Sequence, residues 1–417
     1  VGELLAATQG ELVAGRVGDR VRGVVTDTRG IEPGAAFVAL RGNAHDGHSH
    51  VSEAAAAGAR LAIVEQPVEA PPTLALLRVE STLRALGDIA RAHVRRWRAY
   101  GARTLIAITG SAGKTTTRIA TAAVLNRIFP GEVAGTVGNL NNRVGVPMVL
   151  LSLQPCHRIA LVEMGTSERG EIGELCRIAE PDIGVVTLIA AAHLERLGSV
   201  AEVAHEKSAL FRALRPEGIA VGNADDERIC RSLSESRAIR RITYGCGGTS
   251  NVRVVERTPL GINVSRVVLA HADGRRSELK TPFVGNAGAL AIAAAVAITE
   301  AAFPERVDGA LLAQALGQTD GGAGRLAPRV LRSGLFILDD TYNANPASMI
   351  SSIRAAVEIA SVTRRRLVLV LGEMRELGTA AACGHQEVGR AAAESGAEVL
   401  IVVGGGEAPR MADGTRA

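Results

Sequence analysis

The chain has 417 residues, 47% of them hydrophobic and 22% charged, and its 47 Lys and Arg against 43 Asp and Glu give a formal charge of +4. That length exceeds one ordinary core, so two or three domains are expected, and the balanced charge without a long basic run excludes a nucleic-acid groove. Five scattered cysteines, Cys156, Cys176, Cys230, Cys246 and Cys383, form no CxxC pair, which argues against a zinc site; with no signal peptide and no apolar run of membrane-spanning length, a reducing, cytoplasmic location is expected.

Three blocks are expected in chain order, 1–100, 101–323 and 324–417. The first mixes short strands ("GVVTDTRG", "AAFVAL", "RLAIVE") with the helix "VSEAAAAGA" and the long basic helix "STLRALGDIARAHVRRWRA". Its "RRWR" cluster reads as a solvated helix face. The second opens on "TLIAITG" and repeats strand, loop and helix through "RIALVEMG", "DIGVVTLI" and "GIAVGNADD", the pattern of a parallel sheet covered by helices. Short antiparallel strands follow over "NVRVVERTPLGINVSRVVLAHADGRRSELKTPF", then a buried alanine-rich helix. The third block alternates "LFILDD", "PASMISSIRAAVEIA", "RLVLVLG", "HQEVGRAAAES" and "EVLIVVG", with Asn345 as N-cap and Pro346 as first helical residue.

The stretch "AITGSAGKTTTRIATAAVL" carries the first chemistry. A buried strand runs into Gly110-Ser111-Ala112-Gly113-Lys114-Thr115-Thr116, with two residues between the glycines where the usual P-loop has four. Backbone amides and a helix N-terminus aim at one point, so the loop is built to hold a polyphosphate. Lys114 reaches the outer phosphates and the Thr115 hydroxyl ligates Mg²⁺. Kinase, GTPase and ligase all remain open on this motif alone.

Glu163 ends the strand "IALVE" and His193 lies just past "IGVVTLI". Both emerge at the carboxyl edge of a parallel sheet, where ligands bind, and can converge with Thr115 on metal. Taken singly, a strand-end Glu is more often a solvated carboxylate and a lone His a structural one. In "SVAEVAHEKSALFRAL", Ser199 and Glu202 have capping-box spacing, and Lys207 falls on the face shared by Val200, Val203, Ala204, Leu210, Phe211 and Leu214. A desolvated lysine there is pushed toward its neutral amine, which can take up CO₂ as a metal-ligating carbamate. From periodicity alone, a lysine snorkelling to water is the commoner case.

The segments "TGSAGKTTT", "GNLNNRVGVP", "VEMGTSERGEI", "AHLERLGS", "EKSALF" and "LDDTYNANPASM" together resemble the Mur ligase family, ATP-dependent amide-forming enzymes that extend the peptide of bacterial cell-wall precursors. The "TDTRG" and "DGH" turns near the start, and "DDTYNANPASM" followed by "LGEMRELG", are most similar to the members that join D-alanyl-D-alanine to UDP-N-acetylmuramoyl-tripeptide. The resemblance implies a three-domain α/β protein: a small mixed α/β N-terminal domain, a central P-loop parallel-sheet ATPase domain, and a Rossmann-like C-terminal domain, incomplete here, that closes on the active site. ATP and two Mg²⁺ are implied, with Glu163 bridging toward a second metal held by His193 and carbamylated Lys207. Arg325 meets the γ-phosphate, Asp340 the ribose, and Asn343 and Asn345 order the same loop, while Asn286 survives from a His-Asn pair that cradles adenine. Asn139, Asn141 and Asn142 meet the substrate peptide, and Asp27, Thr28, Arg29, Asp46, Gly47 and His48 the UDP-sugar end. The family pattern has Asn, Pro and Gly where this chain carries Leu188, Ala191 and Arg196. A monomer, with neither nucleic-acid nor membrane partner, is expected. The alternatives are a sister Mur ligase, a folylpolyglutamate synthase, or a non-catalytic paralogue that binds UDP-muropeptide.

Overall fold

A computed structural model of the chain describes residues 1–42, 45–319 and 321–415. Two compact units divide it: Val1–Arg103 with Ala134–Val162 and Glu174–Glu180, and Thr104–Val133 with Glu163–Gly173 and Pro181–Ala417.

In the first unit, strands lie in the order Glu11–Ala14, Ala75–Arg78, Leu61–Val64, Ala36–Val38, Val24–Val25. Only the pair Glu11–Ala14 and Ala75–Arg78 is antiparallel. "LAIV" is buried along its whole length, as an uninterrupted apolar run in a parallel strand requires. One core gathers Val38, Ile63 and Leu77 with Leu86 and Ile89 of the helix Thr82–Arg98; the other holds Phe37, Val51 and Leu74. Ser81 caps that helix by accepting from the Arg84 amide at 3.3 Å. The "RRWR" cluster is more than a solvated face. Arg95 grips the Glu180 carboxylate at 2.6 Å, Arg96 reaches Glu3 at 2.8 Å, Arg98 donates to the Glu180 carbonyl, and Trp97 is buried with its indole N–H on the His157 carbonyl.

In the second unit, strands run side by side in the order Arg276–Thr281, Ser265–His271, Val252–Pro259, Arg240–Gly245, Ile219–Asn223, Ile183–Val186, Thr104–Thr109. The last five named are mutually parallel, and the first two add an antiparallel meander. The helix Gly285–Ala302 has the 18 residues and the mean hydropathy, 1.4, of a membrane span, contrary to the sequence reading, yet 72% of it is buried inside the protein. It is a core helix packed on Lys114–Ile128 and on the strands Arg240–Gly245 and Val252–Pro259. Its alanines allow that close approach from all sides.

Beyond Gly324, Phe336–Asp339 pairs antiparallel with Ala327–Val330, a strand the sequence did not announce, and not with the parallel pair Val368–Gly372 and Val399–Val403. Asn345 caps the helix Pro346–Thr363 with a complete capping box through Ser348. By contrast Ser199 accepts from the Glu202 amide, but the Glu202 carboxylate faces Arg169 at 3.7 Å instead of returning the bond. Leu369, Leu400 and Val402 pack with helix residues Ile353 and Val388, whereas Val368, Val370, Val399, Ile401 and Val403 expose the other face of the parallel pair.

Candidate active site

Gly110 and Gly113 hold φ of +152° and +81°, and a Cβ on Gly110 would lie 2.0 Å from Thr187 Oγ1. Only glycine fits, because Thr187 must come that close to donate to the Ala112 carbonyl at 2.6 Å. Ser111 laces the loop to the next strand end: its amide donates to the Leu188 carbonyl at 2.7 Å, and its hydroxyl exchanges bonds with both main-chain groups of Ala190 at 3.0 Å. The loop's anchorage at 188–190 is thus main-chain, which is why the unusual Leu188 side chain is accommodated. Lys114 opens the helix Lys114–Ile128 and folds back to donate to the Gly110 carbonyl at 2.8 Å; Thr116 follows in its first turn.

Thr115 and Glu163 are both buried, and the Thr115 hydroxyl donates to Glu163 Oε2 at 2.7 Å. Arg118, one helical turn beyond Lys114, brings its Nε to 3.6 Å from the same carboxylate. Lys207 is 1% exposed. Desolvation, reinforced by the Lys114 charge and opposed by that of Glu206, pushes its amine down to about 7. That is the lysine the helix periodicity put on the buried face, and it does not snorkel. Its neighbour Glu206 turns the other way and takes the Gly170 and Ile172 amides at 2.6 and 2.8 Å, pinning the loop after Glu163.

His193 sits at φ +55° and hydrogen-bonds through Nδ1 to Glu376 at 2.5 Å. Burial lowers its basicity, Glu376 opposes that, and the charges of Lys207 and Lys114 add to the lowering. Arg325 lies over the Tyr342 ring at 4.2 Å, and its charge bears on Lys114 and Arg118. Lys114, Thr115, Glu163, His193, Lys207 and Arg325 therefore share one electrostatic neighbourhood. No group of three His, Cys, Asp or Glu side chains with metal-holding geometry occurs among the described residues.

Family models match three stretches: the Mur ligase family catalytic domain at residues 20–94, the Mur ligase middle domain at 108–299, and the Mur ligase glutamate ligase domain at 324–417. UDP-N-acetylmuramoyl-tripeptide-D-alanyl-D-alanine ligase of Escherichia coli (strain K12) is 36% identical over 394 residues, covering 91% of this chain and 81% of that protein. The chain belongs to the Mur ligase family. Among solved structures, MurF from Acinetobacter baumannii superposes with a TM-score of 0.89 at 32% identity, covering 99% of this chain and 87% of that one. MurF ligase from Thermotoga maritima in complex with ADP gives 0.82 at 26%, covering 94% and 86%.

The remaining residues of this Mur ligase are held as follows. Asp340 takes the Leu326 amide at 3.1 Å and the Ser352 hydroxyl, and burial raises its carboxyl. Among the described residues Asn343 bonds its own neighbour Ala344, whereas Asn345 also extends its amide to the Ser111 carbonyl at 3.5 Å. Asn286 accepts from Arg257 Nε at 2.9 Å, and the same guanidinium reaches Glu358 at 2.5 Å. Asn142 accepts the Val144 and Gly145 amides just ahead of the helix Gly145–Leu151, close behind Asn139 and Asn141. In the first unit Asp27 is locked onto Arg29, Thr28 donates to Glu53, and Asp46 receives the amide and Nδ1 of His48. Both ring nitrogens of His48 are engaged, since Nε2 accepts from the Glu65 amide at 2.9 Å. Gly47 admits no side chain; a Cβ would lie 2.8 Å from Leu40 backbone atoms.

Sequence reasoning missed Arg118, Thr187, Glu206, Glu376 and Glu53. Arg118 was signalled by its i,i+4 relation to Lys114 and Glu376 by its place in "LGEMRELG"; nothing local marks the other three. Arg196, out of pattern for the family, pairs with Glu168 at 2.7 Å, so its charge is met by a carboxylate.

Proposed function

We propose that this Mur ligase joins D-alanyl-D-alanine to UDP-N-acetylmuramoyl-tripeptide at the expense of ATP, yielding the UDP-linked pentapeptide, ADP and phosphate. The observation that carries the reading is 36% identity over 91% of the chain to a ligase of that name, with a complete phosphate loop and the buried Lys207. A carboxylate is a poor electrophile, so its carbon is activated by attack of the carboxylate oxygen on the γ-phosphorus; an acyl phosphate forms and ADP leaves. The dipeptide amine then adds to the acyl carbon, loses its proton, and expels phosphate. Lys114 and Arg325 spread the charge that develops on the transferred phosphoryl group. The loop amides hold the rest of the polyphosphate at the helix N-terminus.

Thr115 and Glu163 fit a Mg²⁺, because the Thr115 proton points at the carboxylate and leaves its oxygen lone pairs free. The Lys207 amine, buried and driven toward its neutral form by desolvation, fits carbamylation, and with His193 offers N and O donors for a second cation. When bound, such cations neutralise phosphate charge. The N-terminal segments at 27–29 and 46–48 take the UDP-sugar, Asn139, Asn141 and Asn142 the peptide, and Asn286, Asp340 and Asn343 the nucleoside. With domain boundaries at 1–100, 101–323 and 324–417, the UDP-sugar residues fall in the first domain, the phosphate loop and the peptide-facing asparagines in the second, and Asp340 and Asn343 in the third. ATP and UDP-linked precursors are cytoplasmic metabolites, so the cytoplasm is the proposed location.

Phosphate release is measured with ATP, Mg²⁺, the UDP-muramoyl-tripeptide and D-alanyl-D-alanine, singly and together, with product mass recorded. Release requiring both acceptors and a pentapeptide mass is expected. Release with a different amine would reassign the chain to a sister ligase, and UDP-muropeptide binding without release to a regulatory paralogue. Lys114→Ala is expected to lower turnover on the order of 100- to 1,000-fold, as for loss of one transition-state donor.

A further inference from the structure

The turn Leu194–Leu197, which begins at His193, is held from two sides. On one side the segment after Glu163 grips it: Glu168 pairs with Arg196 at 2.7 Å, and Arg169 donates to the Leu197 carbonyl at 3.2 Å. On the other side lies the C-terminal "MRELG". Glu376 accepts from His193 Nδ1 at 2.5 Å, its carbonyl accepts the Glu195 amide at 3.2 Å, and Gly378 sits so near that a Cβ would be 3.1 Å from Glu195 Cα.

Backbone conformation marks the same contact. His193 and Glu376 both adopt left-handed φ, +55° and +61°, each at a cost of about 1–2 kcal/mol for a residue with a Cβ. Such conformations persist where surrounding contacts over-determine them, and they cluster where geometry matters to function. The first set of bonds fixes where the turn lies; none touches the imidazole. Glu376 alone, among the described residues, holds the ring.

We propose that Glu376 is a positioning residue: by accepting the Nδ1 proton it fixes the His193 tautomer with a free Nε2 lone pair and aims that nitrogen at the cation site beside Lys207, so that the site is complete only when the 376–378 segment is seated. This inference rests on the functional reading above. A ligand histidine whose other nitrogen is bonded to a carboxylate is oriented and made more basic, and losing that partner typically costs about 10- to 100-fold in metal affinity or activity.

The test uses the full chain with Glu376→Gly, which suits the left-handed backbone and keeps the carbonyl bond to Glu195, Glu376→Ala, and Glu376→Gln, whose amide oxygen still accepts from Nδ1. Mn²⁺ affinity in the presence of ADP is read by electron paramagnetic resonance, and ligation kinetics with the UDP-muramoyl-tripeptide varied. Both truncations are expected to weaken Mn²⁺ and lower kcat by about 10- to 100-fold with KM for the tripeptide unchanged, and Glu376→Gln to recover most of both. Wild-type Mn²⁺ affinity in the truncations, or Glu376→Gln as impaired as Glu376→Ala, would overturn the positioning role. A wild type that binds Mn²⁺ and responds to Glu376 but does not ligate would leave that role standing and sink the functional reading.

Discussion

Lys207 sets burial against charge. The residue is 1% exposed, and desolvation with repulsion by Lys114 brings its amine down to about 7 against the opposing Glu206 charge, so the unmodified protein carries a desolvation cost. Lys207→Met keeps the volume and removes that cost; the variant is expected to be more stable by about 1–3 kcal/mol while ligation falls at least about 100-fold. Thermal melts and phosphate release check both halves, and a lowered melting temperature would show that the amine has a compensating partner. Added bicarbonate is not expected to rescue Lys207→Ala, which has no amine to carbamylate. Such a trade of stability against activity is usual at strained or desolvated centres. Periodicity put Lys207 on an apolar face, but whether it snorkelled depended on the packing above it, which no local pattern encodes.

At the scale of single elements, the turns at Asp27 and Asp46 are pinned by charge. The Arg29 side chain holds the Asp27 carboxyl down to about 2, and the His48 amide and ring do the same for Asp46. An unfolded carboxyl titrates near 3.9, so the folded state binds fewer protons: the stabilisation is complete above about pH 4 and is lost as pH falls through 2. The urea midpoint of the protein is expected to drop between pH 5 and pH 2.5, with a smaller drop in Asp46→Asn. The helix Pro346–Thr363 offers a second check. Asn345→Ala removes a capping box and is expected to cost about 1 kcal/mol, read from the denaturation midpoint. This cap was legible because Asn-Pro carries its own conformational preferences; the Ser199 box was legible only in half, because Arg169 competes for the Glu202 carboxylate.

Across the whole second unit, the C-terminal portion reaches the phosphate loop through Asn345 to Ser111, the turn beside it through Glu376 to His193, and the strand Val252–Pro259 through Glu358 to Arg257. Nucleotide bound at the loop is therefore expected to protect residues 187–198 and 373–378 from amide hydrogen exchange together. Stabilisation by ADP at a hundred times its dissociation constant is expected to be about 2.7 kcal/mol. Protection confined to 187–198 would show that the two segments are not linked. The exposed valines on one face of the C-terminal parallel pair had no counterpart in the sequence reading, because strand alternation shows which residues share a face and not what covers it.

By itself, the sequence determined what local rules and motif spacing control. The phosphate loop with its two-residue gap, the alternation of strands and helices, the Asn345 cap and the resemblance to an ATP-dependent ligase family were all present in runs of a few to a few tens of residues. Only the tertiary structure decided which polar groups are spent on one another. Thr115 faces Glu163, His193 turns to a carboxylate 183 positions away, Asn286 is taken by Arg257, and both nitrogens of His48 are engaged. The reason is physical: a hydrogen bond or a desolvated charge depends on atoms brought together by packing, and that proximity is a property of the fold rather than of any segment.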